Sequence, residues 1–281
     1  MQPTPHSENP RRAGNPGADS GQRWRALRQA CRMHLALGLG LLLAIGATPA
    51  ALARDDGSDP LEEIEIFMAE GQSGTLILPA GAPDRQTPIV VILPDLLGHD
   101  ARSSVYVDQL LGAGFAVLDM VWSESGKLAP VLAALVAHPR ILPDSISLMG
   151  FGSGARIVAE WDGRVDARVL LYPGCAGVAP AAMRGERVLL MHGEADSANP
   201  ADACAGLAAQ IAGGASELRL RAFPGATYAW DRPAFEPERV SLLPAPDGVG
   251  RVASTAWPEL AALSAAEVAG FFAIRLSGAG P

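Results

Sequence analysis

Histidine, cysteine and basic charge are scarce in this sequence, and each shortage closes off a class of function. The five histidines and three cysteines are scattered, and no spacing among them matches a metal site. Lys and Arg number 22 against 30 Asp and Glu, a formal charge of −8. Nucleic-acid binding needs the opposite surface, because it is driven by neutralising phosphates. No repeat and no internal linker interrupts the chain. The leucine-rich apolar run from Leu35 to Ile45 is shorter than the roughly 20 residues that span a bilayer.

What is present is the composition of a globular α/β protein. The chain has 281 residues, 49% of them hydrophobic, with 31 glycines and 23 prolines, enough for a single domain with a full core. The first 53 residues read as an export signal. A basic segment with Arg23, Arg25, Arg28 and Arg32 precedes the Leu35–Ile45 run, and Ala51-Leu52-Ala53 supplies the small residues of a cleavage site. The alternative is an uncleaved N-terminal membrane anchor. Cleavage after Ala53 reduces the basic and acidic residues from 22 and 30 to 16 and 28, a charge of −12. The expected product is an acidic periplasmic or secreted protein with no membrane span. It retains Cys175 and Cys204, and two cysteines in an oxidising compartment point to a disulfide.

Residues 54–60 form a polar lead-in, and residues 61–281 a single domain. Strands are expected over Leu61–Phe67, Thr75–Leu78, Pro88–Leu93, Phe115–Met120, Ser145–Met149, Ala167–Tyr172, Arg187–Met191 and Glu217–Phe223. Helices are expected over Asp100–Leu111, Lys127–Ala137, Ser153–Trp161, Ala201–Ile211 and Pro258–Leu276. The alternation predicts about eight strands in a mostly parallel sheet with helices on both faces. Chemistry in such sheets lies at the carboxyl ends of the strands.

One of those ends carries MGFGSGAR, residues 149–156, which fits two motifs imperfectly. As a dinucleotide fingerprint, G-x-G-x-x-A, it lacks the acid that should end the next strand and hold a ribose; that strand ends LLYPGC. No other motif calls for a cofactor. As a nucleophile elbow, G-x-S-x-G, it has Gly152 in the nucleophile slot. The order of the remaining segments suits the elbow, since HGEAD supplies an acid, Asp196, after a later strand, and PGATYAWD stands where a histidine would follow the last one.

At this point the chain resembles the dienelactone hydrolases and their exported relatives, from about Gly74 to Leu276. LPDLLGHDARSSVYVDQLLGAGFAVLD is similar to that family's first loop and helix. LLYPGC with MHGEADSANPADAC is similar to a subgroup carrying a cysteine in each segment, and FPGATYAWD to the histidine loop. The resemblance implies an α/β-hydrolase fold acting on a small ester, lactone or carboxylate. It also implies an oxyanion hole built from the backbone amides of Leu96 and Ser153, and a pocket faced by Asp95.

Two positions depart from the family: Gly152 replaces the Ser or Cys nucleophile, and Tyr228 replaces the histidine. Of the triad only Asp196 remains, and it has no histidine to orient. Ser153 is either a helix N-cap or a nucleophile displaced by one residue. Tyr228 either lines an old pocket or donates to a bound carbonyl. His99, in the first loop, is the one candidate for a surrogate base, while His192 is expected to pack structurally. Asp119 and Asp231 read as turn or surface acids. Two functions follow. The first is a degenerate, non-catalytic protein that binds a small carbonyl or carboxylate ligand or a partner. The second is an ester or lactone hydrolase working through Ser153 with Asp196.

Overall fold

The computed structural model describes residues 62–81, 85–121, 128–233, 236 and 239–274. The expected export signal and polar lead-in, residues 1–60, lie outside the described residues.

The chain opens with a hairpin, β1 (Glu63–Ala69) and β2 (Gln72–Leu78), closed by the two residues Glu70 and Gly71. Both have positive φ, 48° and 77°. That is the two-residue turn whose twist matches the strands it joins. The turn is thus Glu70–Gly71 alone, and both strands run further into the gap between the expected Leu61–Phe67 and Thr75–Leu78.

The next strands are β3 (Thr87–Leu93), β4 (Ala116–Met120), β5 (Ile141–Phe151), β6 (Ala167–Leu171), β7 (Arg187–Gly193) and β8 (Glu217–Phe223). They join the hairpin in one sheet of order β1-β2-β4-β3-β5-β6-β7-β8. Only the pairings of β1 with β2 and of β2 with β4 are antiparallel. Strands β3, β4, β6 and β7 are buried at every residue, which is why they read as mainly apolar runs rather than alternating ones, with Asp119 in β4 and Arg168 in β6 as buried polar exceptions. A second hairpin, β9 (Ser241–Pro244) with β10 (Arg251–Ser254), was not expected from the sequence.

Five α-helices cover the sheet: α1 (Ser104–Gly112), α2 (Leu128–Val136), α3 (Ser153–Glu160), α4 (Ala201–Ala212) and α5 (Pro258–Ala273). A short 3-10 turn, Ala101–Ser103, leads into α1. Two apolar cores result. One joins Tyr106 and Leu110 of α1, Phe271 and Phe272 of α5, and Val90 and Val117 of the sheet. The other joins Val131 of α2, Val158 of α3, Leu207 of α4, and Val91 and Leu118. Among the described residues no helix is long and apolar enough to cross a membrane.

The Cys175–Cys204 disulfide is formed, tying the loop after β6 to α4 over a sequence separation of 29 residues. Closing a loop of that size stabilises the fold by roughly 3–4 kcal/mol in the chain-entropy account.

Candidate functional site

The glycine-rich turn is a strand-to-helix elbow. At its apex Gly152 has φ +51°, a conformation unfavourable for residues with a Cβ. Gly150 and Gly154 serve close packing instead. A Cβ on Gly150 would stand 2.4 Å from the amide nitrogen of Ala155, and one on Gly154 would stand 2.4 Å from the carbonyl oxygens of Leu93 and Pro94. The elbow therefore keeps the shape that presents a nucleophile but has no side chain to present.

The space that a side chain at 152 would enter is full. A Cβ there would lie 2.1 Å from Tyr228 Oη and 2.4 Å from Asp95 Oδ1. These two groups are bonded to each other, Tyr228 Oη donating to Asp95 Oδ2 at 2.6 Å. Burial, and then the neighbouring Asp95 carboxylate, push the Tyr228 hydroxyl well above the usual tyrosine range. It is a firm donor and no base.

Asp95 decides the electrostatics of the site. Its Oδ1 accepts from Leu96 N at 2.8 Å and Ser153 N at 3.1 Å. These are the two amides that the family resemblance assigns to an oxyanion hole, and both are bonded to a carboxylate of the protein's own chain. Local structure places it there. The Asp95 carbonyl accepts from Gly98 N at 2.8 Å, which closes a turn with Asp in its favoured first position. Ser153 N stands at the first turn of α3, where the helix end attracts a negative charge.

Arg102 supplies the compensating charge. Its guanidinium is bidentate to Asp100, with Nε 2.8 Å from Oδ1 and Nη2 2.8 Å from Oδ2. Nη1 lies 3.4 Å from Asp95 Oδ2 and donates to Tyr172 Oη at 3.3 Å. The Tyr172 hydroxyl donates in turn to Asp231 Oδ1 at 2.6 Å, and Tyr106 donates to Asp231 Oδ2 at 2.7 Å. Arg102 also stands over the Phe151 ring, 5.7 Å from its centroid. Tyr172 has φ +41°, a strained conformation held by this network. Burial raises the Asp231 carboxyl above its ordinary range, against the opposing pull of Arg102 and the two tyrosine hydroxyls. Asp119 is buried within β4 and Asp231 is buried in the turn at residues 229–232, so Asp231 is a turn acid as expected, whereas neither is a surface acid and Asp119 is not in a turn.

The remaining candidates do not assemble into a catalytic set. Ser153 is the first residue of α3 and Gly152 is the N-cap, which corrects the N-cap reading of Ser153. Its hydroxyl has no hydrogen-bond partner among the described residues. His99 Nε2 lies 3.0 Å from Asp119 Oδ2, and Ser103 Oγ donates to that same oxygen at 2.7 Å. The carboxylate thus stands between hydroxyl and imidazole, the reverse of a nucleophile–base pair. His192 is buried, with Nδ1 3.3 Å from Gly193 O. The cavity bounded by Asp95, His99, Arg102 and Phe151 measures about 10 Å³, room for one water at most. Among the described residues no cluster of three or more His, Cys, Asp or Glu could hold a metal ion.

Asp196 has become a loop anchor. Its Oδ1 accepts from Ala198 N at 2.9 Å and its Oδ2 from Asn199 Nδ2 at 2.8 Å. Asn199 Oδ1 accepts from Gly174 N and Cys175 N at 2.8 and 3.2 Å, joining the loops after β7 and β6. Burial raises the Asp196 carboxyl to about 6, outweighing the Ala198 amide and the Asn199 side chain. The folded state therefore holds a proton that the unfolded chain releases near 3.8. Stability is greatest below that pH and declines as pH rises to about 6, by at most about 3 kcal/mol. Urea denaturation from pH 4 to 7 is expected to show this decline in the wild type and a flatter curve in Asp196→Asn. Parallel curves for the two proteins would remove Asp196 as the group responsible.

No family model matches the sequence, and no curated protein matches it. Solved structures do. The apo form of Thermogutta terrifontis esterase 2 superposes with a TM-score of 0.56 at 14% identity, over 81% of this chain and 99% of its own. A Klebsiella pneumoniae protein described as a dienelactone hydrolase gives 0.52 at 14% identity, over 76% and 98%. The α/β-hydrolase enzyme MGS-M1, from a Medee basin deep-sea metagenome library, gives 0.52 at 16% identity, over 60% and 84%. The fold is that of the α/β-hydrolases. Within that fold the sheet order places the elbow at the end of β5, Asp196 after β7 and Tyr228 after β8, the three triad stations expected from the sequence.

The sequence reading missed Arg102. A signal for it exists: Arg102, Tyr106 and Leu110 recur every four residues through the 3-10 turn and α1, and all three are buried. An arginine on the apolar stripe of an amphipathic segment implies a buried anion partner.

Proposed function

We propose that this is an exported, non-catalytic α/β-hydrolase-fold protein that acts by binding rather than by turning over an ester. The observation that carries the reading is the Asp95 carboxylate bonded to both oxyanion-hole amides, with the Tyr228 hydroxyl in the nucleophile's place. Hydrolysis of an ester or lactone needs that hole free to stabilise the tetrahedral oxyanion, and it needs a nucleophile with a base within hydrogen-bond reach. Here the hole is filled and Ser153 Oγ has no base beside it. The same occupancy argues against a small carbonyl or carboxylate ligand at this point, because the ligand would have to displace an intramolecular carboxylate that is already bonded. A macromolecular partner bound elsewhere on the surface fits the closed site better.

The test is reactivity of the purified protein toward a fluorophosphonate probe and short-chain p-nitrophenyl esters. The expected result is no covalent labelling, and turnover no higher than that of Ser153→Ala. Labelling that disappears in Ser153→Ala, together with ester turnover, would establish instead a hydrolase with a nucleophile displaced by one residue.

A further inference from the structure

The two edges of the main sheet are treated in opposite ways. At the β8 edge the strand exposes Arg219 and Arg221, which pair with Glu217 and Glu267. Charged side chains of this kind guard an edge against adding another strand. At the β1 edge the outward-facing side chains are Ile64, Ile66 and Met68, exposed to 66%, 86% and 65%. The strand has no proline, no inward-pointing lysine and no bulge, and its register with β2 is continuous over seven pairs.

The hairpin turn also fixes where the backbone of β1 points. With a two-residue loop the closing pair, Ala69 and Gln72, exchanges hydrogen bonds, and the alternation then runs back along the strand. Phe67, Glu65 and Glu63 direct their N–H and C=O groups toward β2. Met68, Ile66 and Ile64 direct theirs toward the open edge, where no backbone partner appears among the described residues. The three residues with exposed apolar side chains are therefore also those with open backbone groups.

We propose that β1 is the interface through which two copies of this chain associate, their β1 strands pairing antiparallel about a two-fold axis at Ile66. This register gives seven residue pairs. Ile66 faces Ile66 of the second copy, and Ile64 faces Met68, so both are hydrogen-bonding pairs and their side chains form one apolar stripe on one face. On the other face Glu65 meets Phe67 and Glu63 meets Ala69, so no like charges stand opposite each other within the strand. Shifting the axis to Glu65 would oppose two glutamates, a destabilising cross-strand pair. Glu63 and Glu65 are moreover already engaged within their own chain, by Arg140 and His138. An isologous strand pairing of this type closes after two copies and leaves the β8 edges charged and unpaired. The inference stands apart from the catalytic question, since β1 takes no part in the elbow.

The experiment is sedimentation velocity on the purified protein and on Ile66→Lys, with hydrogen–deuterium exchange read at the amides of residues 64, 66 and 68. The wild type is expected to sediment at twice the monomer mass. Ile66→Lys puts two ammonium groups face to face at the axis, and it is expected to sediment as a folded monomer with an unchanged circular-dichroism spectrum, because the substituted side chain is solvent-exposed within the single chain. Exchange at the three amides is expected to accelerate about tenfold or more as the edge opens. Ile66→Pro, which removes the outward N–H and leaves the bonds to β2 intact, should act likewise. Leu220→Lys on β8 should leave the dimer unchanged. A monomeric wild type overturns the proposal, and if its three amides are nevertheless protected, another segment of the same chain covers the edge. A dimer that survives Ile66→Lys, or that dissociates on Leu220→Lys, overturns it equally.

Discussion

Putting a serine back at the elbow, Gly152→Ser, is expected to destabilise the protein by about 3 kcal/mol or more and to restore no esterase activity. Two independent costs add. The backbone at φ +51° and ψ −114° lies outside the regions that residues with a Cβ populate and penalises such a residue by about 1–3 kcal/mol. The new Cβ would also stand 2.1 Å from Tyr228 Oη and 2.4 Å from Asp95 Oδ1, and overpacking of a close-packed interior costs typically 1–3 kcal/mol. Neither neighbour moves freely, because each holds the other and Asp95 is bound to two amides. Urea denaturation with ester turnover measured in parallel checks both halves of the expectation. A Gly152→Ser protein of wild-type stability would mean that Tyr228 and Asp95 swing aside easily. Ester hydrolysis by it would mean that a base is available that the structure does not place beside residue 152. The triple change Gly152→Ser, Asp95→Ala, Tyr228→His removes both obstructions, so it is the variant in which turnover is expected to reappear if any of these proteins shows it.

This contrast also separates what the sequence carries from what it does not. The parallel strands are legible because β3, β4, β6 and β7 are buried on both faces and are therefore mainly apolar, and polar exceptions such as Asp119 and Arg168 have buried hydrogen-bond partners. The stations of the site are legible by position: Gly152, Asp196 and Tyr228 follow the ends of β5, β7 and β8 by one, three and five residues. The β9–β10 hairpin is not legible. Its strands have four residues each and alternate between buried and exposed, too short a stretch to show a period. The hairpin turn at Glu70–Gly71 is misplaced by a reading that follows glycines alone, because its first residue is a glutamate. What the surviving residues do together was the least accessible part. The bond from Ser153 N to Asp95 Oδ1 spans 58 positions and that from Tyr228 Oη to Asp95 Oδ2 spans 133. No local pattern records a carboxylate turned back into its own oxyanion hole. The sequence does show a glycine and a tyrosine where the family resemblance expects a nucleophile and a histidine, and it leaves open whether the space between them stays empty or is filled. Packing decides that question. The absence of a Cβ at residue 152 leaves room for the tyrosine hydroxyl, and the hydroxyl and the two amides together hold the aspartate.

Removing that aspartate, Asp95→Ala, is expected to lower the melting temperature by roughly 10–15 °C, and formate is expected to restore part of the loss. The Asp95 carboxylate is the shared acceptor for Leu96 N, Ser153 N and Tyr228 Oη and lies beside the buried Arg102. Truncation leaves three donors without an acceptor and removes one anion facing a buried cation. Breaking a buried ion pair by removing one partner costs about 3–5 kcal/mol, and in a domain of this length each kcal/mol corresponds to roughly 2–4 °C. The alanine methyl occupies the place of the Asp95 Cβ, so the vacated volume is that of one carboxylate group. Formate has that size and charge, while acetate adds a methyl group that would collide with the alanine. Formate binding only to the folded variant raises its stability through mass action, and chloride at equal ionic strength should not. Asp95→Asn retains one oxygen for the two amides but turns an NH2 group toward Arg102 and Tyr228, two donors. It should therefore lie between the wild type and Asp95→Ala and show no formate response. If formate and chloride acted alike on Asp95→Ala, the hole would not be the preformed anion cradle described here, and the hydrogen bonds of Asp95 to the amides of Leu96 and Ser153 would have to be regarded as incidental to the turn at residues 95–98. A formate response confined to Asp95→Ala would show that the amides of Leu96 and Ser153 form a preformed anion cradle that a single side chain keeps closed.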